Sequence, residues 1–349
     1  MDCIEQLKKL TTSVAVTGYE KNLSEQIRSM FQEYCDTVEV DRFFNVIGLK
    51  KGKGAKKKKI MLTAHLDEIG FLVKSIDDRG FIRITNIGGM DPKILPAHEV
   101  IVHGKKDLIG IIGAKPPHLL KPEEAQKAVK LQDLSIDMGM SAEKVKELVR
   151  IGDLVTLKSS PVSLQGNKLS AKSIDNRSGI VVMLQTMKEL QGFLHENDVY
   201  FVATAQEELE LTGVMVASYN LEPDIAIVID AGHGDMPDCP KGKIFPLGKG
   251  PAIGIGPNLH KKLTKKIIET AKDENIPYQI DVEPGDTGTE AWATQVSRKG
   301  IPTILLSIPV RYMHTAIETV HEDDIKNTAR LCARFVIKQE GELEAMLCY

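Results

Sequence analysis

The sequence predicts an α/β fold: a mixed, mostly parallel sheet sandwiched by helices, with a small β-rich domain inserted into it. Three observations lead there. Predominantly apolar segments at residues 60–62, 199–205, 225–229 and 303–308 alternate with helical patterns, and strands covered on both faces carry such runs. Between residues 70 and 163 the texture changes to short β-type pieces separated by turns. With 42% hydrophobic side chains in 349 residues, the chain can bury a large core, and its length suits roughly two domains of about 150 residues each.

Residues 2–35 hold two amphipathic helical patterns, the second carrying Leu23, Ile27, Met30 and Phe31 at helical spacing. Strand-like segments at 37–40 and 45–49 follow, and then a Lys- and Gly-rich run at 50–59. Such a run between two strands is expected to form a solvated hairpin tip that discourages edge pairing. Inside the insert, strands are expected at 71–73, 81–84, 100–102 and 108–112. A helix is expected at 141–149, capped by Ser141, with Val145, Leu148 and Val149 on one face. The insert carries no cluster of histidines or carboxylates at strand ends, so its expected work is shaping an entrance or touching another subunit. From residue 167 the larger rhythm returns. A helix with Ile180, Val181, Met183, Leu184, Met187 and Leu190 follows Asp175, and further helices are expected near 212–218, 261–274 and 323–339. The α/β core domain is therefore expected to be discontinuous, built from 1–69 and 164–349 around an insert at 70–163.

A formal charge of −3, with both signs interspersed, creates no field that would draw nucleic acid or an anionic membrane. No apolar run approaches the ~18 residues of a membrane span, and Met1-Asp2-Cys3-Ile4-Glu5-Gln6 lacks a basic region followed by an apolar stretch. A cytoplasmic protein is expected. Cys3, Cys35, Cys239, Cys332 and Cys348 are odd in number and scattered, which points to reduced structural thiols, not to a disulfide framework or a thiolate zinc site.

The chemistry gathers where strands stop. Residues two apart share a strand face, so His65 and Asp67 project together, the carboxylate selecting and orienting the imidazole nitrogen left free for a metal. Ala205-Gln206-Glu207-Glu208 closes a second strand, Ile229-Asp230-Ala231-Gly232 a third, and Arg311-Tyr312-Met313-His314 lies just beyond a fourth, with Asp175 ahead of its helix. In open α/β sheets ligands bind outside the carboxyl ends of the strands, so these groups converge on one crevice. Two imidazoles and several carboxylates without a thiolate suit zinc, cobalt or manganese. The set is large enough for two ions, one carboxylate shared between them, and an activated water. Of the tandem Glu207 and Glu208, one can ligate while the other serves as general base.

Ala64-His65-Leu66-Asp67-Glu68-Ile69-Gly70, Ser173-Ile174-Asp175-Asn176-Arg177, Ala205-Gln206-Glu207-Glu208, Leu247-Gly248-Lys249-Gly250-Pro251 and Arg311-Tyr312-Met313-His314 resemble, in family order and over nearly the whole chain, the tetrahedral (TET) aminopeptidases. These are dinuclear metallopeptidases, some of which carry glutamyl aminopeptidase or endoglucanase labels. The resemblance implies a metal-dependent aminopeptidase acting on peptides, with two divalent metal ions per subunit, zinc or cobalt foremost and manganese an option. His65, Asp175 and Asp230 would hold one ion, and Asp175, Glu208 and His314 the other. Glu207 would be the general base and Asp67 the orienter of His65. A zinc-peptidase-like fold, an insert serving dimerisation and assembly, and a homo-oligomer of dimers forming a hollow tetrahedral dodecamer are implied as well.

Three positions depart from the family pattern. Leu209-Glu210-Leu211-Thr212-Gly213 replaces an early Gly and Leu-Arg-Gly, Glu290 stands where Asp is usual, and Thr315-Ala316 replaces Ser-Pro after His314. These bear on side-chain preference. Gly254-Ile255-Gly256-Pro257-Asn258-Leu259-His260 lacks the final Gly and Lys-Ser/Thr of a nucleotide loop and is expected to be a turn. His233 is expected to be a loop residue outside the ligand set, and the polar run from Pro284 to Glu290 is either a substrate-facing loop or a surface turn. Two other readings stay open: a glycoside hydrolase, which needs two carboxyls and normally no metal, and a catalytically silent member of the same fold, suggested by Glu210.

Overall fold

The computed structural model describes residues 2–120, 128–240 and 242–339. At its centre is an 11-stranded sheet. Four strands lie parallel and adjacent in the order Asp198–Thr204, Lys59–His65, Ile225–His233 and Thr303–Arg311. Antiparallel strands extend both flanks, Val46–Lys50 and Thr37–Val40 on one side and Glu318–His321, Lys168–Ala171 and Val162–Leu164 on the other. Ala252–Ile255 and Gln279–Val282 form a branch off Thr303–Arg311.

Period-two alternation explains why the central strands are apolar throughout. Ile60, Leu62 and Ala64 face a core shared with the helices Cys3–Thr11, Ile174–Leu190 and Glu322–Ile337, whereas Met61 between them faces Val214, Ala217 and Ala293 of the helices Thr212–Leu221 and Glu290–Gln295. Ile174–Leu190 is buried on nearly every side, so it shows almost no amphipathic stripe. Each fully buried Leu or Ile here contributes about 1.5–3 kcal/mol.

Six strands, Gly70–Ile76, Ile82–Ile87, Ser135–Asp137, Asp107–Gly113, Glu99–His103 and Leu154–Leu157, close into a small antiparallel barrel. Phe71, Val73, Ile84, Val100, Val102, Ile112, Ile136 and Val155 fill its interior. Asp107–Gly113 alternates strictly between exposed and buried positions, which leaves Ile109 and Ile111 facing outward. Ser141 caps the helix Ala142–Leu148, accepting from the Lys144 N–H.

Two expectations are corrected. The Lys- and Gly-rich run is not a hairpin tip, because Val46–Lys50 and Lys59–His65 pair with opposite sides of Asp198–Thr204 and not with each other. The chain crosses the end of that inserted strand. Gly52 passes so close that a Cβ would lie 2.2 Å from the Glu196 carbonyl oxygen, and the Lys53 and Gly54 N–H groups donate to the His195 and Glu196 carbonyls, both at 2.9 Å. Nor does the strand begun at Ile225 stop before Asp230. It continues to His233 because Thr303–Arg311 is long enough to pair with it throughout, Asp230 opposite Ser307 and His233 opposite Val310. His233 is therefore an exposed strand end and not a loop residue.

The turn expected after Ile255 leads into the helix Lys261–Asp273, which His260 caps by accepting from the Leu263 N–H. Cys3, Cys35, Cys239 and Cys332 are free; Met1 and Cys348 lie outside the described residues. Among the described residues, no helix is long and apolar enough to cross a membrane.

Candidate metal centre

At the carboxyl edge of the parallel strands, five distant segments meet. His65 is the last residue of Lys59–His65 and is 1% exposed. Its Nε2 lies 3.2 Å from Asp175 Oδ1, 3.7 Å from Asp230 Oδ1 and 3.8 Å from Glu207 Oε2. His314 Nε2 lies 3.4 Å from Asp175 Oδ2 and 3.1 Å from Glu208 Oε1. Asp175 thus turns one carboxylate oxygen toward each imidazole. All six expected residues, Glu207 included, come together in this pocket, and Asp67 stands behind His65 with its Oδ1 3.5 Å from Nδ1.

The backbone that presents these groups departs from regular structure where it must. Gln206 and Leu211 bracket the short helix Glu207–Glu210 with φ of 56° and 58°, Ser173 has φ 60° ahead of Asp175, and Tyr312 and His314 have φ 58° and 61°. Left-handed conformations at non-glycine residues are sparse and concentrate at functional sites. Asp67 accounts for the Glu207–Glu210 turn, since its two oxygens accept from the Glu207 and Glu208 N–H groups at 3.1 and 3.2 Å while Thr17 Oγ1 donates to it at 2.7 Å. It therefore aims the tandem glutamates as well as His65. The peptide bond between Asp175 and Asn176 is cis. Asn176 Nδ2 donates to Asp230 Oδ1 at 3.0 Å.

Electrostatics separate this pocket from an ordinary acidic surface. Among the described residues, the ion-pair partners of Asp175, Glu207, Glu208 and Asp230 are the two imidazoles, with no lysine or arginine. Burial, partly opposed by His65 and reinforced by Asp230 and Glu208, pushes Glu207 up to about 10. Burial also raises Glu208 and Asp230. Burial works against protonated His314, but its hydrogen bonds to Asp175 and Glu208 outweigh that and lift it to about 11. Protons are retained where positive charge is short. The donor atoms of His65, Glu207 and Asp230, and those of His65, Asp175 and Glu208, each lie within 4.8 Å of one another. Crowded anionic oxygens, two imidazoles and no thiolate fit divalent cations of the zinc, cobalt or manganese type.

The departures sort themselves by place. Glu290 is buried beneath the pocket, accepting from Thr63 Oγ1 at 2.7 Å and from Thr204 Oγ1, and burial, opposed by those hydroxyls, raises it to about 7. Ala316 packs into the barrel core and not against the ligands. Glu210 is exposed. Sequence reasoning passed over Glu318, which accepts from the backbone N–H groups of Asp175 and His314. The insert, expected to shape an entrance, approaches the site at one point: a Cβ on Gly89 would lie 3.5 Å from His314 Nδ1.

Residues 45–331 match the family model for the M42 glutamyl aminopeptidases. The lysyl aminopeptidase of Pyrococcus furiosus is 35% identical over 333 residues, 94% of each chain. An aminopeptidase structure from the archaeon Desulfurococcus kamchatkensis superimposes with a TM-score of 0.91 at 35% identity, covering 98% of this chain and 96% of that one. The TET1 peptidase of Pyrococcus horikoshii, which can assemble into a tetrahedron or a large octahedral shell, gives 0.84 at 32% identity over 97% of this chain and 100% of that one. Sheet, barrel and sequence agree, and the chain belongs to the M42 (TET) aminopeptidase family, an aminopeptidase of the hydrolase class.

Proposed function

We propose that this enzyme removes N-terminal residues from peptides at a dinuclear metal centre. His65, Asp175 and Asp230 hold one cation, Asp175, Glu208 and His314 hold the other, and Glu207 is the general base. The observation that supports this reading most is Asp175, whose two oxygens face different imidazoles, at 3.2 and 3.4 Å, as a carboxylate shared between two ions must. Zinc or cobalt would supply Lewis acidity toward the scissile carbonyl and the attacking water. With cations bound, the burial and like charge that raise Glu207 in their absence would be offset, and its carboxylate would then take the proton from that water and return it to the leaving amine. Asp67 fixes the His65 ring through Nδ1 and leaves Nε2 for ligation. The side chains of Glu207 and Glu208 are only 10% and 7% exposed, which limits exchange of the transferred proton with bulk solvent.

Glu207→Gln is expected to keep its metal content by elemental analysis and lose about 10²–10⁴-fold in kcat on aminoacyl p-nitroanilides. Near-parental turnover would remove Glu207 from the role. Dialysis against a chelator should abolish activity and added zinc or cobalt restore it, whereas a glycoside hydrolase would survive that treatment. By likeness to the Pyrococcus horikoshii assembly we also read this chain as a cytoplasmic homo-oligomer, dimers building a tetrahedral dodecamer, with residues 70–163 as the assembly insert and 1–69 with 164–349 as the catalytic domain. A stable monomer in sedimentation velocity would refute the assembly.

A further inference from the structure

Asp175 and His314 arrive on segments that regular structure does not hold in place. Asp175 has ψ 110°, outside the helical range, and the first N–H groups of a helix have no partner within it. His314 follows the end of Thr303–Arg311 in a left-handed conformation, φ 61°, two residues after Tyr312 at φ 58°. Such conformations persist where the surroundings impose them. One side chain meets both needs. The Asp175 N–H donates to Glu318 Oε2 at 2.9 Å, and the His314 N–H donates to Glu318 Oε1 at 2.8 Å. Glu318 is 2% exposed. It opens the strand Glu318–His321, where it stands opposite Ala171, four residues before Asp175.

We propose that Glu318 is a positioning residue, the carboxylate that sets the distance between Asp175 and His314 and thereby the shape of the cation position they share with Glu208. This rests on the dinuclear reading above. Glu318 acts through backbone N–H groups and not through a ligand atom. Because the other Asp175 oxygen faces His65, any shift of the Asp175 backbone reaches the neighbouring cation position as well. A clasp that only stabilised the fold would instead change the unfolding temperature and leave metal binding as it was.

Cobalt(II) titration of the metal-free protein, followed by calorimetry and by visible absorption, separates the two roles. Glu318→Gln keeps the side-chain volume but replaces one acceptor by an amide donor, so one of the two N–H groups loses its partner. The expected result is a roughly 10- to 100-fold weaker affinity for at least one cobalt ion and an altered absorption band, in addition to whatever fall in the metal-free unfolding temperature the unpaired N–H causes. Glu318→Asp, which keeps the charge on a shorter arm, is expected to weaken cobalt in the same direction and decides the matter if Glu318→Gln does not fold. Parental affinity and an unchanged band in the folded variants would overturn the proposal while the dinuclear reading stands. Failure of the parental protein to bind cobalt would overturn both.

Discussion

The two imidazoles of the centre live in different surroundings. His65 ends a strand in the middle of the sheet, beside Thr204 of the neighbouring strand, and its side chain is 2% exposed. His314 sits in a turn under the barrel, its side chain 32% exposed, its backbone held by one carboxylate. Many core contacts place the first, and few local bonds place the second. Local opening free energies follow such differences in contact density, so the His314 wall is expected to open at lower cost than the His65 wall.

The contrast can be tested from the largest effect downward. His65→Ala and His314→Ala should each lose at least about a thousandfold in activity at micromolar cobalt, within the range by which catalytic groups contribute. Millimolar cobalt should recover part of the activity only in His314→Ala, whose wall can close on a replacement ligand such as water. Equal losses without rescue would show that the two walls are equally rigid.

The rigid wall has a charged foundation. Glu68, next to Asp67, pairs with Lys172 and with Arg177 NH2 at 3.1 Å. Burial alone would raise its carboxyl, but the Lys172 and Arg177 charges prevail and hold it down from 4.5 to about 2. A folded value below the unfolded one adds stability above the unfolded value and loses it as pH falls through the folded one. The contribution, about 3 kcal/mol, is therefore present at neutral pH and fades between about pH 4.5 and 2. Glu68→Gln should lose about 3–5 kcal/mol in urea unfolding at pH 7, since it strands two buried cations, and it should lack the parental fall in stability across that acid window. Parallel pH curves for the two proteins would contradict the assignment.

The smallest effect belongs to the open wall. Gly89→Ala adds a methyl group in ordinary contact with the His314 ring, 3.5 Å from Nδ1. Less than about 0.5 kcal/mol of stability should change, as for most exposed substitutions, and activity should change less than threefold. A tenfold loss would mean that His314 is packed as tightly as His65.

Much of this was legible in the chain because each strand announces itself twice, by an apolar run and by the polar group that ends it. His65, Glu207, Glu208 and His314 are read that way, Asp230 reads as a strand end although its strand runs on to His233, and the barrel is read from its short alternating pieces. The crossover at residues 51–58 was not legible, since the insertion of Asp198–Thr204 between two strands close in sequence is decided by pairing almost 140 residues away. Glu318 was hidden for another reason. Its partners are main-chain N–H groups, which every residue but proline possesses, so no pattern of side chains points to them. Glu290 showed in the sequence only as a larger acid than usual, its burial between Thr63 and Thr204 depending on two strands meeting.

The order of assembly carries a consequence for the cell. The sheet needs Thr303–Arg311 beside Ile225–His233, and His314 and Glu318 follow His65, Asp175, Glu208 and Asp230 in the chain. A ribosome adds about 5–20 residues per second, so a growing polypeptide carries the His65 side of the pocket for seconds before the His314 side is made. Until residues 303–318 have been added and paired, the chain presents the His65 side of the pocket without the His314 side.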